Sequence, residues 1–105
     1  MKEKEIEDKL VSNLNDIEDG LILLERQKRV GTGIMDLYCR DKKGNHVIVE
    51  VKIKPDTHVI TQLARYNLGL IKNGVNKNKL RTILVARELP KHVRELCKFF
   101  NFETK

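Results

Sequence analysis

Apolar residues return at helical spacing in the first part of the chain. Ile6, Leu10, Leu14 and Ile17 fall on one stripe, which predicts an amphipathic helix over residues 3–18. Gly20 is placed to end it. Glu7 lies at the edge of that stripe, beside Val11 and Leu14, whereas Glu5 falls on the opposite, solvated face. The pattern then changes. Leu21-Ile22-Leu23-Leu24 followed by Glu25-Arg26-Gln27-Lys28-Arg29 reads as a strand over 21–29, cut off from the helix by Gly20. Val30-Gly31-Thr32-Gly33 is a break, since two glycines two apart permit unusual backbone angles and close approach. Two strands, 33–40 and 46–53, flank Asp41-Lys42-Lys43-Gly44-Asn45, a short polar connection suited to a hairpin.

Pro55-Asp56-Thr57 opens a second helix over 57–72, with Val59, Leu63, Tyr66 and Leu70 as its inner stripe. Asn73-Gly74 ends it. Residues 80–86 read as a strand around Thr82-Ile83-Leu84-Val85, and Pro90 suits the first turn of a third helix over 90–98. Phe99-Phe100-Asn101-Phe102 is expected to supply a last edge strand. The order α-β-β-β-α-β-α gives an α/β fold. Three strands form an antiparallel meander, a fourth returns in parallel through a helix, and helices flank the mixed sheet. At 105 residues the chain is expected to be one domain, 1–105.

Strand alternation concentrates chemistry in the middle of this order. It places Ile34, Asp36 and Tyr38 on one face of one strand, and Ile48, Glu50 and Lys52 on one face of the next. A carboxylate between valines is costly to bury unless something positive compensates it. Hard divalent cations take oxygen ligands, and Mg²⁺ holds few protein carboxylates while keeping several waters. Asp36 and Glu50 on neighbouring strands offer two such oxygens, and the Val51 carbonyl a third. A cation there would polarise a scissile phosphate and activate water. Lys52, on the Glu50 face, would orient or deprotonate the attacking water or stabilise developing charge. The pattern therefore points to metal-dependent phosphodiester cleavage.

Charge supports an anionic partner. Lys plus Arg is 21 against 15 Asp plus Glu, a net +6, which favours DNA. Candidate phosphate contacts are Arg26, Arg29, Lys54 and Arg65, with Lys28, Lys72, Lys77, Lys79 and Arg81 as further basic positions. With five aromatic residues and no Trp, extensive base stacking is not expected. Cys39 and Cys97, each in an apolar setting, read as buried free thiols, which fits a reducing cytoplasm. The charged start, Met1-Lys2-Glu3-Lys4-Glu5, has no signal-peptide apolar stretch, and no run is long enough to span a membrane.

The combination of Gly33-Ile34-Met35-Asp36-Leu37, the hairpin 41–45, Val47-Ile48-Val49-Glu50-Val51-Lys52 and Gln62-Leu63-Ala64-Arg65-Tyr66 resembles the PD-(D/E)xK nuclease superfamily. It is most similar to the nuclease domain of NucS-type (EndoMS) mismatch endonucleases. Ile6-Glu7-Asp8 and Ile17-Glu18-Asp19-Gly20-Leu21 also look like that family's first helix and its exit. The resemblance implies a restriction-endonuclease-like fold and a Mg²⁺- or Mn²⁺-dependent DNA endonuclease acting on mismatched or branched DNA in repair or recombination. Asp36 and Glu50 would bind metal and Lys52 would be the catalytic lysine. Glu7, Gln62 and Tyr66 would complete the active site. Met35 stands where the superfamily pattern has Pro. The family's N-terminal DNA-binding and dimerisation domain has no counterpart in these residues. The expectation is therefore a homodimer or a separate DNA-binding partner protein. A Holliday-junction resolvase uses the same layout and is the alternative enzyme. A non-catalytic DNA-binding or assembly module with the same fold is the alternative of another class.

Overall fold

The computed structural model describes residues 2–31 and 33–105; Thr32, within the expected break, and Met1 lie outside it. Helix α1 spans Glu3–Ser12 and a 3-10 turn spans Leu14–Asp16. Then come strands β1 (Ile22–Val30), β2 (Gly33–Arg40) and β3 (His46–Lys52), helix α2 (His58–Lys72), strand β4 (Leu80–Ala86), helix α3 (Lys91–Phe99) and strand β5 (Glu103–Thr104). The sheet order is β1-β2-β3-β4-β5. β1, β2 and β3 are antiparallel neighbours, while β4 runs parallel to β3 and β5 parallel to β4. This is the expected mixed α/β sheet, with a fifth strand added at its edge.

Two elements differ from expectation by more than a residue at an end. The first helix stops at Ser12, because Asn13 leaves the helical backbone (φ −149°, ψ 81°) and its amide bonds Asp16. The stripe residues Leu14 and Ile17 still reach the core, but through the 3-10 turn. The last strand is Glu103–Thr104 and not 99–102. Phe99 belongs to α3, and Asn101 turns the chain with φ 60°.

Apolar residues of β2, β3 and β4 point to both sides of the sheet and make two cores. Leu37, Cys39, Val47, Val49 and Ile83 pack with Ile17 and Leu21, and Leu10, Val11 and Leu14 close over them from the α1 side. Tyr38, Ile48 and Leu84 pack with Val59, Leu63, Tyr66 and Leu70 of α2 and with Val93 and Cys97 of α3. Both cysteines are free and buried, as expected. No helix among the described residues is long and apolar enough to cross a membrane.

Within β2 strict alternation fails at one place. Met35 joins the α2-side core together with Tyr38, three residues away, so the phase slips by one at Asp36–Leu37. The expected common face for Ile34, Asp36 and Tyr38 is thus corrected: Ile34 is 43% exposed. On the opposing strand the pairing shifts register between Leu23 and Glu25 and then runs unbroken from Arg26↔Leu37 to Lys28↔Met35, with Gln27 between them in a left-handed backbone (φ 53°). An irregular residue of this kind re-aims side chains in a strand. Here it directs Arg26 and Gln27 together toward α1.

Candidate active site

The β2–β3 ladder runs from Arg40↔His46 to Leu37↔Val49 and stops there. Beyond that point the two carboxylates replace the rungs. The Asp36 N–H donates to Glu50 Oε1 at 3.1 Å, and the Val51 N–H donates to Asp36 Oδ2 at 2.8 Å. Buried N–H groups need acceptors, so the acids are built into the sheet's own bonding. Each spends one oxygen on the backbone and leaves the other, Asp36 Oδ1 and Glu50 Oε2, without a backbone donor.

Those two oxygens have only long contacts. Lys52 Nζ is 3.8 Å from Glu50 Oε2, and Gln27 Nε2 is 3.3 Å from Asp36 Oδ1. The Tyr66 hydroxyl approaches Glu50 Oε2 to 3.5 Å, but its single proton goes to the Ile34 carbonyl at 2.6 Å, and it accepts from Gln62 Nε2 at 2.9 Å. Burial raises the pKa of Asp36. Burial, and then the charge of Asp36, pushes Glu50 up to about 8. Burial, followed by the Glu50 charge, pushes Tyr66 up to about 12. The site is therefore short of positive charge.

α2 reaches the site because two glycines let it come close. A Cβ on Gly33 would lie 2.8 Å from the Tyr66 ring, and one on Gly69 would lie 2.2 Å from Val30 Cγ1. With that approach, the Tyr66 hydroxyl caps the Ile34 carbonyl at the mouth of the β2–β3 gap. Tyr66 is 1% exposed and makes this contact from within the α2-side core. Gln62, half-buried, helps line a cavity of about 210 Å³ with Lys52, Pro55, Asp56, His58 and Val59.

Glu7 comes from α1, on the other side of the sheet, and is 5% exposed. It accepts from Arg26 Nε at 2.7 Å and from Gln27 Nε2 at 2.9 and 3.2 Å. The structure thus brings Glu7, Asp36, Glu50, Lys52, Gln62 and Tyr66 into one constellation at the end of the sheet. Gln27 was missed by the sequence reading. Its left-handed backbone is a conformation that composition does not announce in a non-glycine residue.

No group of three or more His, Cys, Asp or Glu side chains arranged to hold a metal occurs among the described residues. The expected ligand set is smaller: Asp36, Glu50 and the Val51 carbonyl. Two carboxylates, each with one oxygen not bonded to the backbone and short of compensating charge, fit a cation that keeps most of its waters. They do not fit a closed zinc site.

The basic residues divide into three groups. Arg26 is turned inward onto Glu7 and Asp8, and Lys28 sits 5.3 Å from the Tyr38 ring centroid and 3.4 Å from Glu25, so neither is a free phosphate contact. Arg81 is enclosed by Glu18, Asp41 and Glu103 and is likewise committed. Arg29, Arg65 and Lys72 are exposed and form no ion pair among the described residues. Arg65 and Lys72 line a groove of about 240 Å³ with Gly31 and Leu68. Lys54 is exposed, 3.9 Å from an equally exposed Glu88.

Comparison with known proteins gives the family and the fold. The profile of the endonuclease NucS C-terminal domain matches residues 2–105. Endonuclease NucS of Methanocaldococcus jannaschii is 34% identical over 104 residues, which are 98% of this chain and 39% of that protein. A repair endonuclease crystal structure from Pyrococcus abyssi superimposes with a TM-score of 0.89 at 31% identity, over 100% of this chain and 46% of that one. EndoMS in complex with double-stranded DNA gives 0.88 at 33% identity, over 98% and 43% of the respective chains. The chain thus spans about two fifths of the length of the curated relatives it matches. It belongs to the endonuclease NucS C-terminal domain family.

Proposed function

We propose that this domain hydrolyses phosphodiester bonds of DNA with the help of Mg²⁺ or Mn²⁺, with Asp36 and Glu50 as the carboxylate ligands. The observation that carries the reading is the division of labour within each carboxylate: one oxygen completes the sheet, the other is left toward the gap, and Lys52 stands 3.8 Å away. A bound cation would neutralise the two acids and polarise the scissile phosphate. Lys52 supplies a mobile positive charge where the attacking water and the phosphate oxygens meet. Tyr66 holds the Ile34 carbonyl, Gln62 holds the Tyr66 hydroxyl and lines the cavity, and Glu7 anchors α1 to the site. Arg29, Arg65, Lys72 and Lys54 give a salt-sensitive grip on the backbone without reading bases.

Mismatched or branched DNA is the proposed substrate class, supported by the kinship with the repair endonucleases above. A homodimer would place two such sites on a duplex and allow both strands to be cut. The test is nicking of duplex, mismatched, flap and four-way-junction DNA with Mg²⁺ or Mn²⁺. It is run beside Asp36→Asn, Glu50→Gln and Lys52→Ala. Cutting that needs the cation and is lost in all three variants supports the reading. DNA binding without cation-dependent cutting on any substrate overturns it in favour of a non-catalytic module. Cutting confined to junctions moves it to a resolvase.

A further inference from the structure

Glu7 meets the site through Gln27. A single amide nitrogen lies 2.9 and 3.2 Å from the two Glu7 oxygens and 3.3 Å from Asp36 Oδ1. One neutral group therefore spans a carboxylate of α1 and a carboxylate of β2. Gln27 is one of two non-glycine residues with a positive φ among the described residues, and its value of 53° is a strained conformation for an ordinary side chain. The side chain is exposed, and its hydrogen-bond partners among the described residues are those two acids alone. Packing accounts for neither the strain nor the contacts. A lysine or arginine reaching the same spot would place permanent charge beside Asp36 and compete with a divalent cation. An amide joins the acids and leaves that charge deficit in place.

We propose that Gln27 is a positioning residue whose amide ties Glu7 to Asp36 and so fixes Asp36 Oδ1, the oxygen not bonded to the backbone, in the direction from which a divalent cation is held. The inference rests on the metal-dependent reading above and assigns Gln27 a role within it. Glutamine fixes an acid that holds the cation, in the way that groups just outside a metal site orient its ligands. Arg26 donates at 2.7 Å to Glu7 Oε1, the oxygen that also takes the shorter Gln27 bond.

The test uses the whole chain and two variants. Gln27→Gly removes the amide and relieves the left-handed backbone. Gln27→Met keeps side-chain length and loses the donor. Mn²⁺ uptake is titrated calorimetrically without DNA. Melting is followed without metal, and nicking is measured across a Mn²⁺ series. The expected result is Mn²⁺ affinity weakened about 10-fold or more in both variants. The Mn²⁺ concentration for half-maximal nicking rises in step, nicking at saturating Mn²⁺ falls less, and Gln27→Gly melts no lower than the unaltered protein. Unaltered affinity in both variants overturns the proposal while leaving the nuclease reading intact, provided the parent protein binds Mn²⁺ and nicks. Weakened affinity in Gln27→Met alone, with a lowered melting temperature, also overturns it and reduces Gln27 to a backbone feature. A parent protein that neither binds Mn²⁺ nor nicks overturns both.

Discussion

At one end of the sheet Asp36 and Glu50 face each other with no guanidinium between them; at the other, Glu18, Asp41 and Glu103 close around Arg81. Arg81 donates to Glu18 at 2.6 and 2.8 Å, to Asp41 at 2.9 Å and to Glu103 at 2.7 and 2.9 Å. It joins the exit of the 3-10 turn, the β2–β3 hairpin and β5. Burial alone would raise Asp41, but the Asn45 amide, Arg81 and the Asn45 and Lys43 N–H groups outweigh it and bring it to about 2. The hydrogen bond from Arg81 lowers Glu18 as well. At the other end, burial and mutual repulsion win, and Glu50 rises to about 8. The same residue type is thus saturated with donors where it staples the fold and starved of charge where chemistry is expected. Perturbation by an unmet charge marks a functional cluster better than the number of acids does.

The contrast can be broken by substitution. The largest expected effect is on cutting. Glu50→Gln and Lys52→Ala each lower cation-dependent nicking about 100-fold or more, since each removes charge from the reacting centre. Arg81→Ala leaves nicking per folded molecule within a few-fold, and a single-turnover assay on matched folded fractions separates the two ends. Next comes stability. Arg81→Ala lowers the unfolding free energy by about 2 kcal/mol, less than for a fully buried pair because Arg81 keeps a quarter of its side-chain surface exposed. The urea midpoint reads this directly.

Smaller and opposite pH responses sharpen the comparison. Asp41 titrates lower in the folded state than its usual 3.8, so its contribution is full above that value and is lost as the pH falls toward 2. Glu50 titrates higher than its usual 4.5. Between 4.5 and about 8 the unfolded chain has released a proton that the folded chain retains. Folding free energy therefore becomes less favourable as the pH rises through that window, and the full penalty stands above it. Metal-free Glu50→Gln should accordingly unfold about 1 kcal/mol harder than the parent at pH 8.5. It should match the parent near pH 4.5. Melting curves at the two pH values check the sign.

The sequence made much of this molecule legible, for reasons that can be traced to residues. β2, β3, α2 and β4 announce themselves by period and by punctuation at Gly33, Gly44, Pro55 and Gly74. Stripe geometry selected Glu7 over Glu5, and Glu7 is the buried acid of α1. What stayed hidden depends on contacts distant in the chain or on backbone that no residue type requires. Arg81 reads as a phosphate contact because its partners lie 63, 40 and 22 residues away. Arg26 reads likewise because the left-handed backbone at Gln27, beside which it turns inward onto Glu7, occurs in a run of polar residues with no glycine to flag it. The slip at Asp36 escaped for the same reason, since period-two alternation assumes an unbroken strand.

The reciprocal bonds between Asp36, Val51 and Glu50 constrain how this fold can age. A lineage that abandons hydrolysis is free to lose the acidity of these side chains but not their acceptors. Asn at 36 and Gln at 50 still receive the Val51 and Asp36 N–H groups. Alanine would leave a half-buried donor unanswered, at a cost of about 1–3 kcal/mol. Decay from enzyme to scaffold therefore has an easy path through amides and a steep one through truncation. Asparagine and glutamine at these two positions would be the fossil mark of a retired catalyst.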